Sequence, residues 1–183
     1  MKRKPVITVS GPPGSGKTTY AKKIAEVFGL RYFSTGRYFR ELAIKQGMSL
    51  KKFHLKAEKD SKIDYEVDRK ALEEAKKGGV VLDGHLTGWT AKDYADIKIY
   101  LTAPLQVRAK RIAKRDMKSV EEALEEIKLR EESNKRRYLK FYGINIDDLS
   151  IYDIVINTSK WSKETIEKVL INLVENYLRE KEK

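Results

Sequence analysis

The run Gly11-Pro12-Pro13-Gly14-Ser15-Gly16-Lys17-Thr18 fits the spacing G-x-x-x-x-G-K-[ST] in full. Each residue type answers a need of phosphate chemistry. Glycines let successive backbone N–H groups turn inward and form a nest for phosphate oxygens. Lys17 offers a point charge to β- and γ-phosphates, the Thr18 hydroxyl can bind Mg²⁺, and Thr19 completes the candidate nucleotide-binding set. A helix that opens at Lys17 adds its positive dipole end at the same place. A β-branched run precedes the motif and helical periodicity follows it, which makes a merely glycine-rich turn a poor account of it.

Asp83 ends the apolar run Val80-Val81-Leu82. Ligands of doubly wound sheets gather beyond the carboxyl ends of the strands, where a carboxylate can orient Mg²⁺ or its waters. The same residue could simply cap a turn before Gly84. Arg108, Arg111 and Arg115 share one helix face, and Arg130, Asn134 and Arg137 share another. Arginines that close over a transferring phosphoryl group stabilise its spreading charge. The competing account is a solvated face with pairs such as Glu126–Arg130. Ser34-Thr35-Gly36 and Arg40 could hold a second phosphate and a base, or could be a helix cap beside a surface arginine. His54 is expected to be solvated. Asp60, Asp64 and Asp68 recur every fourth residue; carboxylates facing neighbouring lysines are the expected account, a cation site the alternative.

Elements must position these groups, and the apolar pattern alternates between strand-like and helical. Strands are predicted at 6–10, 31–34, 80–83, 97–101 and 154–156. Helices are predicted after the glycine-rich loop as far as Gly29, then over 36–46, 49–59, 64–77, 104–116 and 119–141. An amphipathic last helix carries Ile166, Leu170 and Val174. Such alternation implies an α/β fold around a parallel sheet. Residues 36–78 and 116–148 interrupt it and are expected to be inserts on one domain spanning 1–183.

The chain has no cysteine, which excludes disulfides and thiolate metal sites. It has no apolar run long enough for a membrane span, and Met1-Lys2-Arg3-Lys4 leads straight into a strand rather than a signal peptide. A cytoplasmic location is therefore expected. The net charge of +12, from 39 Lys+Arg against 27 Asp+Glu, suits polyanion binding or a heat-adapted surface. No stacking motif or RNA module accompanies it, so a nucleic-acid partner is not expected.

Taken together, the phosphate loop, Ser-Thr-Gly-x-x-x-Arg at 34–40, Val-Leu-Asp-Gly at 81–84 and Thr-Ala-Pro-Leu at 102–105 resemble nucleoside monophosphate kinases. Gly-Trp at 88–89, Arg-Ile-Ala-Lys-Arg at 111–115, Arg-Glu-Glu-Ser at 130–133, Tyr-Gly-Ile at 142–144 and the run 149–159 narrow the resemblance to the archaeal type of cytidylate kinase. The resemblance implies a three-layer, doubly wound, five-stranded parallel sheet of P-loop kinase type with a monophosphate-binding insert and a lid. It also implies transfer of the γ-phosphoryl of ATP, with Mg²⁺, to CMP or dCMP by a protein expected to be monomeric. Arg40 would bind the acceptor phosphate, with Thr35 beside the pyrimidine and Asn134 nearby. Lys17, Arg130 and Arg137 would act on the transferring phosphates, Arg111 would stack on adenine, and the 157–159 loop would approach it. Two positions depart from the family pattern. His85 stands where arginine is usual, shorter and only partly charged near neutral pH, and Arg37 replaces an acidic residue, adding positive charge near the acceptor phosphate. The rivals are a kinase of the same fold with another acceptor, such as AMP or UMP, and a nucleotide-dependent RNA-binding factor.

Overall fold

The computed structural model describes residues 4–182, so Met1–Arg3 of the basic start lie outside the described residues. The chain runs β1 (Val6–Ser10), α1 (Lys17–Val27), β2 (Arg31–Ser34), α2 (Thr35–Lys45), α3 (Leu50–Ala57), α4 (Ser61–Lys76) and β3 (Val80–Asp83). It continues through α5 (Thr87–Thr90), β4 (Ile97–Thr102), α6 (Leu105–Asp116), α7 (Val120–Tyr142), β5 (Ile154–Asn157) and α8 (Lys163–Glu182).

The five strands form one parallel sheet in the order β2-β3-β1-β4-β5. Every residue of β1 and β3 is buried, as continuous β-branched runs covered on both faces must be. Ile7, Val9, Ile99 and Leu101 pack on one face with Ile24 of α1 and Ile166, Leu170 and Val174 of α8. Val6, Val80 and Leu82 face the other way, against Ala75 of α4 and Ala91 just after α5. Helices therefore cover both faces, and the three layers expected from the sequence are present. Because β1 lies at the centre and α1 follows it directly, the phosphate loop opens at the carboxyl edge of the sheet.

Two satellite clusters lie beyond the sheet. Phe39, Phe53, Ile63 and Val67 unite α2, α3 and α4, with Phe39 and Phe53 ring centroids 4.7 Å apart. Ala109, Ile112, Ala123 and Ile127 join α6 to α7. Local signals set the helix ends. Ser119 and Glu122 form a reciprocal capping box at the start of α7, and Gly143 closes it in the left-handed conformation. Asp60 caps α4 by accepting the Lys62 N–H at 3.1 Å, which starts that helix earlier than the predicted residue 64. The C-terminal half of α7 is fastened to α3 and α4. Arg136 donates to Glu58 at 2.9 Å, Tyr65 Oη donates to the Phe141 carbonyl at 3.2 Å, and Tyr142 Oη donates to Asp68.

Candidate functional site

One cleft of about 950 Å³ opens along the carboxyl edge of the sheet. The phosphate loop forms one end of it. Gly11 has φ +140°, and a Cβ there would lie 2.0 Å from the Leu101 carbonyl oxygen. Gly14 has φ +81°, and its Cβ would lie 2.7 Å from the Arg108 carbonyl oxygen. Only glycine lets the loop lie this close to β4 and α6. Lys17 Nζ donates to the Pro12 carbonyl at 2.8 Å. Burial lowers its pKa to about 8; Asp83 opposes that shift and Arg130 adds to it. A phosphate bound here would return the charge that the free site disfavours. Ser15 is fully buried, with an Oγ that has no partner among the described residues, whereas Thr18 and Thr19 are exposed along the cleft.

Asp83 is 2 % exposed at the end of β3. Its Oδ2 accepts hydrogen bonds from Thr18 Oγ1 and from Tyr32 Oη, each at 2.7 Å. Tyr32 is driven up to about 12 by burial first and then by the Asp83 charge. The turn-capping role considered for Asp83 is not what its carboxylate does here: it ties the phosphate loop to β2.

Thr35, Arg40, His85, Asn134, Arg130 and Arg137 all line the same cleft as the loop, although they come from three separate stretches of chain. Ser34 does cap α2, accepting the Arg37 N–H at 3.3 Å, while Thr35 Oγ1 turns to the Asp83 carbonyl at 3.4 Å. The Arg40 side chain has no hydrogen-bond partner among the described residues. Desolvation first, then Arg130 and Arg115, lower its pKa, as expected for a cation waiting among cations. Arg130 depresses Lys17 as well as Arg40, so it is close enough to act on both ends of the cleft. Arg130 also donates to Glu126 at 3.1 Å, the helix pair foreseen from the sequence, but its Nε is buried and unpartnered.

Several expectations are corrected. The three arginines of α6 do not act as one face. Arg108 is 7 % exposed and braces the loop, donating to the carbonyls of Ala103 at 2.9 Å and Pro13 at 3.0 Å and pairing with Glu131. Arg111 donates to Thr158 Oγ1 at 2.9 Å and to its carbonyl at 2.8 Å, and Thr158 in turn donates to the Ser15 carbonyl at 3.0 Å. Arg115 also lines the cleft but is paired with its neighbour Asp116 at 2.6 Å. Arg137 is 2 % exposed and ion-paired with Asp64, rather than standing free over the cleft. Burial pushes the Asp64 carboxyl upward and Arg137 pulls it back.

Asp68, raised to about 7 chiefly by burial, accepts from Tyr142. The three aspartates have separate partners, Asp60 capping α4, Asp64 pairing with Arg137 and Asp68 accepting from Tyr142, and no cluster of three metal-ligating side chains occurs among the described residues. His54 is buried, not solvated. Its ring centroid lies 4.8 Å from that of Phe39, and burial with the nearby arginines lowers its pKa to about 3. His85 is also lowered to about 3, by burial and then by Lys17 and Arg130, so it is uncharged at neutral pH instead of partly charged. Arg37 pairs with Glu41 at 3.2 Å on the exposed side of α2 and does not line the cleft. Tyr32 and Trp161, the latter 62 % exposed on the cleft rim, had no signal in the sequence beyond their neighbours.

The profile of the Cytidylate kinase-like family matches residues 6–160. A cytidylate kinase of Staphylothermus marinus is 51 % identical over 175 residues, covering 96 % of this chain and 99 % of its own. One from Pyrococcus horikoshii is 56 % identical over 165 residues, with 90 % and 85 % covered. Among solved structures, a shikimate kinase of Acinetobacter baumannii in complex with shikimate superposes with a TM-score of 0.61 at 18 % identity, covering 94 % of each chain. An uncharacterized protein of Eubacterium ventriosum gives 0.71 at 20 % identity, covering 94 % of this chain and 99 % of its own. These two establish likeness of fold. By the span and specificity of the sequence matches, the chain belongs to the cytidylate kinase-like family.

Proposed function

We propose that the protein transfers the γ-phosphoryl group of ATP to CMP or dCMP by direct in-line displacement. An acceptor phosphate oxygen forms the new P–O bond, the bond to the β–γ bridging oxygen breaks, and ADP leaves with that electron pair. The observation that carries the reading is the single cleft lined by both the phosphate loop and Arg40, with Arg130 also lining it and acting electrostatically on Lys17 and Arg40 alike. No general base is needed, because the acceptor phosphate is already an anion. Catalysis rests on positioning and charge stabilisation.

In this reading the backbone N–H groups of Gly14–Thr19 and the ammonium of Lys17 hold the donor phosphates, with Gly11, Pro12 and Pro13 shaping the loop. Arg111 and the 157–159 loop flank the adenine. Arg40 takes the acceptor phosphate, Thr35 lies beside the pyrimidine, and Arg130 covers the phosphoryl in flight. For Arg137 to reach it as well, its pair with Asp64 must open; in the closed pair it holds Asn134, donating to Oδ1 at 2.6 Å. Residues 36–78 serve as the acceptor insert and 116–148 as the lid, which joins that insert through the polar contacts of α7.

The Thr18 hydroxyl and the Asp83 carboxylate, 2.7 Å apart, are hard oxygen donors of the kind Mg²⁺ selects, with phosphate oxygens and water to complete its shell. They fit the ion. Held there by Thr18 and Asp83, the ion would supply charge neutralisation to the donor phosphates. Tyr32 holds Asp83 from behind. Tyr32→Phe is expected to raise the Mg²⁺ concentration for half-maximal turnover about tenfold, as loss of an outer partner does. A Mg²⁺ titration at saturating ATP measures it; an unchanged midpoint removes Tyr32 from the site.

Among the described residues no helix is long and apolar enough to cross a membrane. The reading includes action on free nucleotides as a monomer in the cytoplasm, without a nucleic-acid partner. The deciding experiment is ADP release, coupled to a detection enzyme, across a panel of monophosphates at equal concentration. CMP and dCMP are expected to lead. Preference for AMP or UMP rejects the cytidine acceptor, and ADP release with no phosphorylated product rejects a kinase altogether.

A further inference from the structure

Helix α7 is attached to two different parts of the molecule. Its first half belongs with α6: Ala123 and Ile127 pack on Ala109 and Ile112, and Glu131 pairs with Arg108, which braces the phosphate loop. Its last two turns belong with the acceptor insert. Arg136 donates to Glu58 at the end of α3 at 2.9 Å, Tyr65 Oη of α4 donates to the Phe141 carbonyl at 3.2 Å, and Tyr142 Oη donates to Asp68. The rings of Tyr65 and Tyr142 meet edge to face, with centroids 5.3 Å apart. Arg137 and Asp64 add a buried pair between the same elements. Glu58, Tyr65, Arg136 and Tyr142 lie outside the lining of the cleft, so their contacts serve geometry rather than a ligand.

Between the two attachments lies Arg130, which acts on Lys17 and on Arg40 alike. It pairs with Glu126 of its own helix, so it travels with α7. The 23 residues of α7 include neither glycine nor proline, and no point along it is built to bend. Arg136 stands about 9 Å further along such a helix than Arg130. A displacement of the insert end must therefore reach Arg130 instead of being absorbed on the way. We propose that Glu58, Tyr65, Arg136 and Tyr142 are positioning residues that join the acceptor insert and the lid into one moving body, so that acceptor binding alone sets Arg130 over the donor phosphates. The proposal deepens the kinase reading above and rests on it. Arg40 and Arg130 repel each other, and a phosphate between them turns that repulsion into attraction to a shared anion. The acceptor thus brings the lid helix with it, and the donor meets an arginine already in place. By linkage the effect is reciprocal, each nucleotide tightening the other.

The chain lacks cysteine, so thiol labels can be placed at chosen sites. Spin labels at Lys52→Cys on α3, Lys128→Cys on α7 and Lys168→Cys on α8, all exposed, give three distances when introduced two at a time. On adding CMP alone, both distances from α8 are expected to shift, while the distance between α3 and α7 holds within about 2 Å. A shift of α3 without α7, or of neither, overturns the coupling. Turnover is checked with Glu58→Cys and Arg136→Cys joined by a short bifunctional thiol reagent. Cross-linking is expected to leave kcat within about threefold of the same protein unlinked, because the joined elements never need to part. Arrest on cross-linking overturns the proposal. Conversely, Tyr65→Phe with Arg136→Gln and Tyr142→Phe is expected to cut the mutual tightening of CMP and a non-hydrolysable ATP analogue from about tenfold to below about twofold, read by calorimetry. Weaker binding of each nucleotide with the tightening intact marks a merely structural role and overturns it too. Should that variant fail to fold, the label distances and the cross-link decide in its place. A parent protein that binds no CMP defeats the acceptor reading instead, and the distances taken with the monophosphate that does bind then decide the coupling.

Discussion

Lys17→Ala is expected to lower kcat by at least about a thousandfold while the protein stays folded and still binds CMP. Lys17 is the first residue of α1, where alanine is at least as good a helix former, and among the described residues its ammonium bonds only to the Pro12 carbonyl, at 2.8 Å. The fold loses little. The reaction loses the loop's own cation, and α1 offers only partial charges from its N-terminal N–H groups in its stead. Steady-state rates with a thermal melt of the same sample check both halves of the statement. Near-normal turnover would remove the donor assignment, because no other residue of the loop could carry that charge.

The second large effect concerns stability. Arg137→Met is expected to destabilise the protein by about 3–5 kcal/mol, the usual result of leaving one member of a buried ion pair behind. The side chains of Arg137 and Asp64 are only 2 % and 6 % exposed, so water cannot replace the lost partner. The double variant Asp64→Leu with Arg137→Met should recover most of the loss, since an apolar pair of similar volume needs no compensation. Urea unfolding of the four proteins measures this. A loss below about 1 kcal/mol in the single variant, the range of exposed pairs, would mean that the pair is open to solvent and weak.

The parts of the molecule that follow from local pattern were legible in the sequence. β1, the phosphate loop and α1 are written in one contiguous stretch, and β3 with Asp83 is a buried run ended by a carboxylate. The family motifs extended this to the acceptor residues, and Thr35, Arg40, His85 and Asn134 do meet in one cleft. What sequence reasoning missed depends on partners far along the chain. His54 is buried because α2 and α4 close over α3, while its own helix is rich in lysine. Asp64 repeats with Asp60 and Asp68 at helical spacing, which hides that its partner is Arg137, 73 positions away. Arg108 shares a helical face with Arg111 and Arg115 on paper, yet the loop carbonyl of Pro13 draws it inward from 95 positions away. One-turn α5 is too short for any periodicity to reveal.

The central position of β1 also governs how the protein comes into being. Val6 pairs with Val80 and Ile7 with Ile97, and the Val6 N–H is taken by Asp96, ninety positions later. On the ribosome the first strand emerges with no neighbour on either side, and it must wait through the whole acceptor insert for its first partner. Closing such long loops before any pairing repays them makes this a slow-folding topology. Until β3 is made this apolar strand has two open edges, and until β4 is made it keeps one, exposed to aggregation. The nucleotide nest, whose glycines lie beside the Leu101 and Arg108 backbone, is thus synthesised well before the segments that give it its shape.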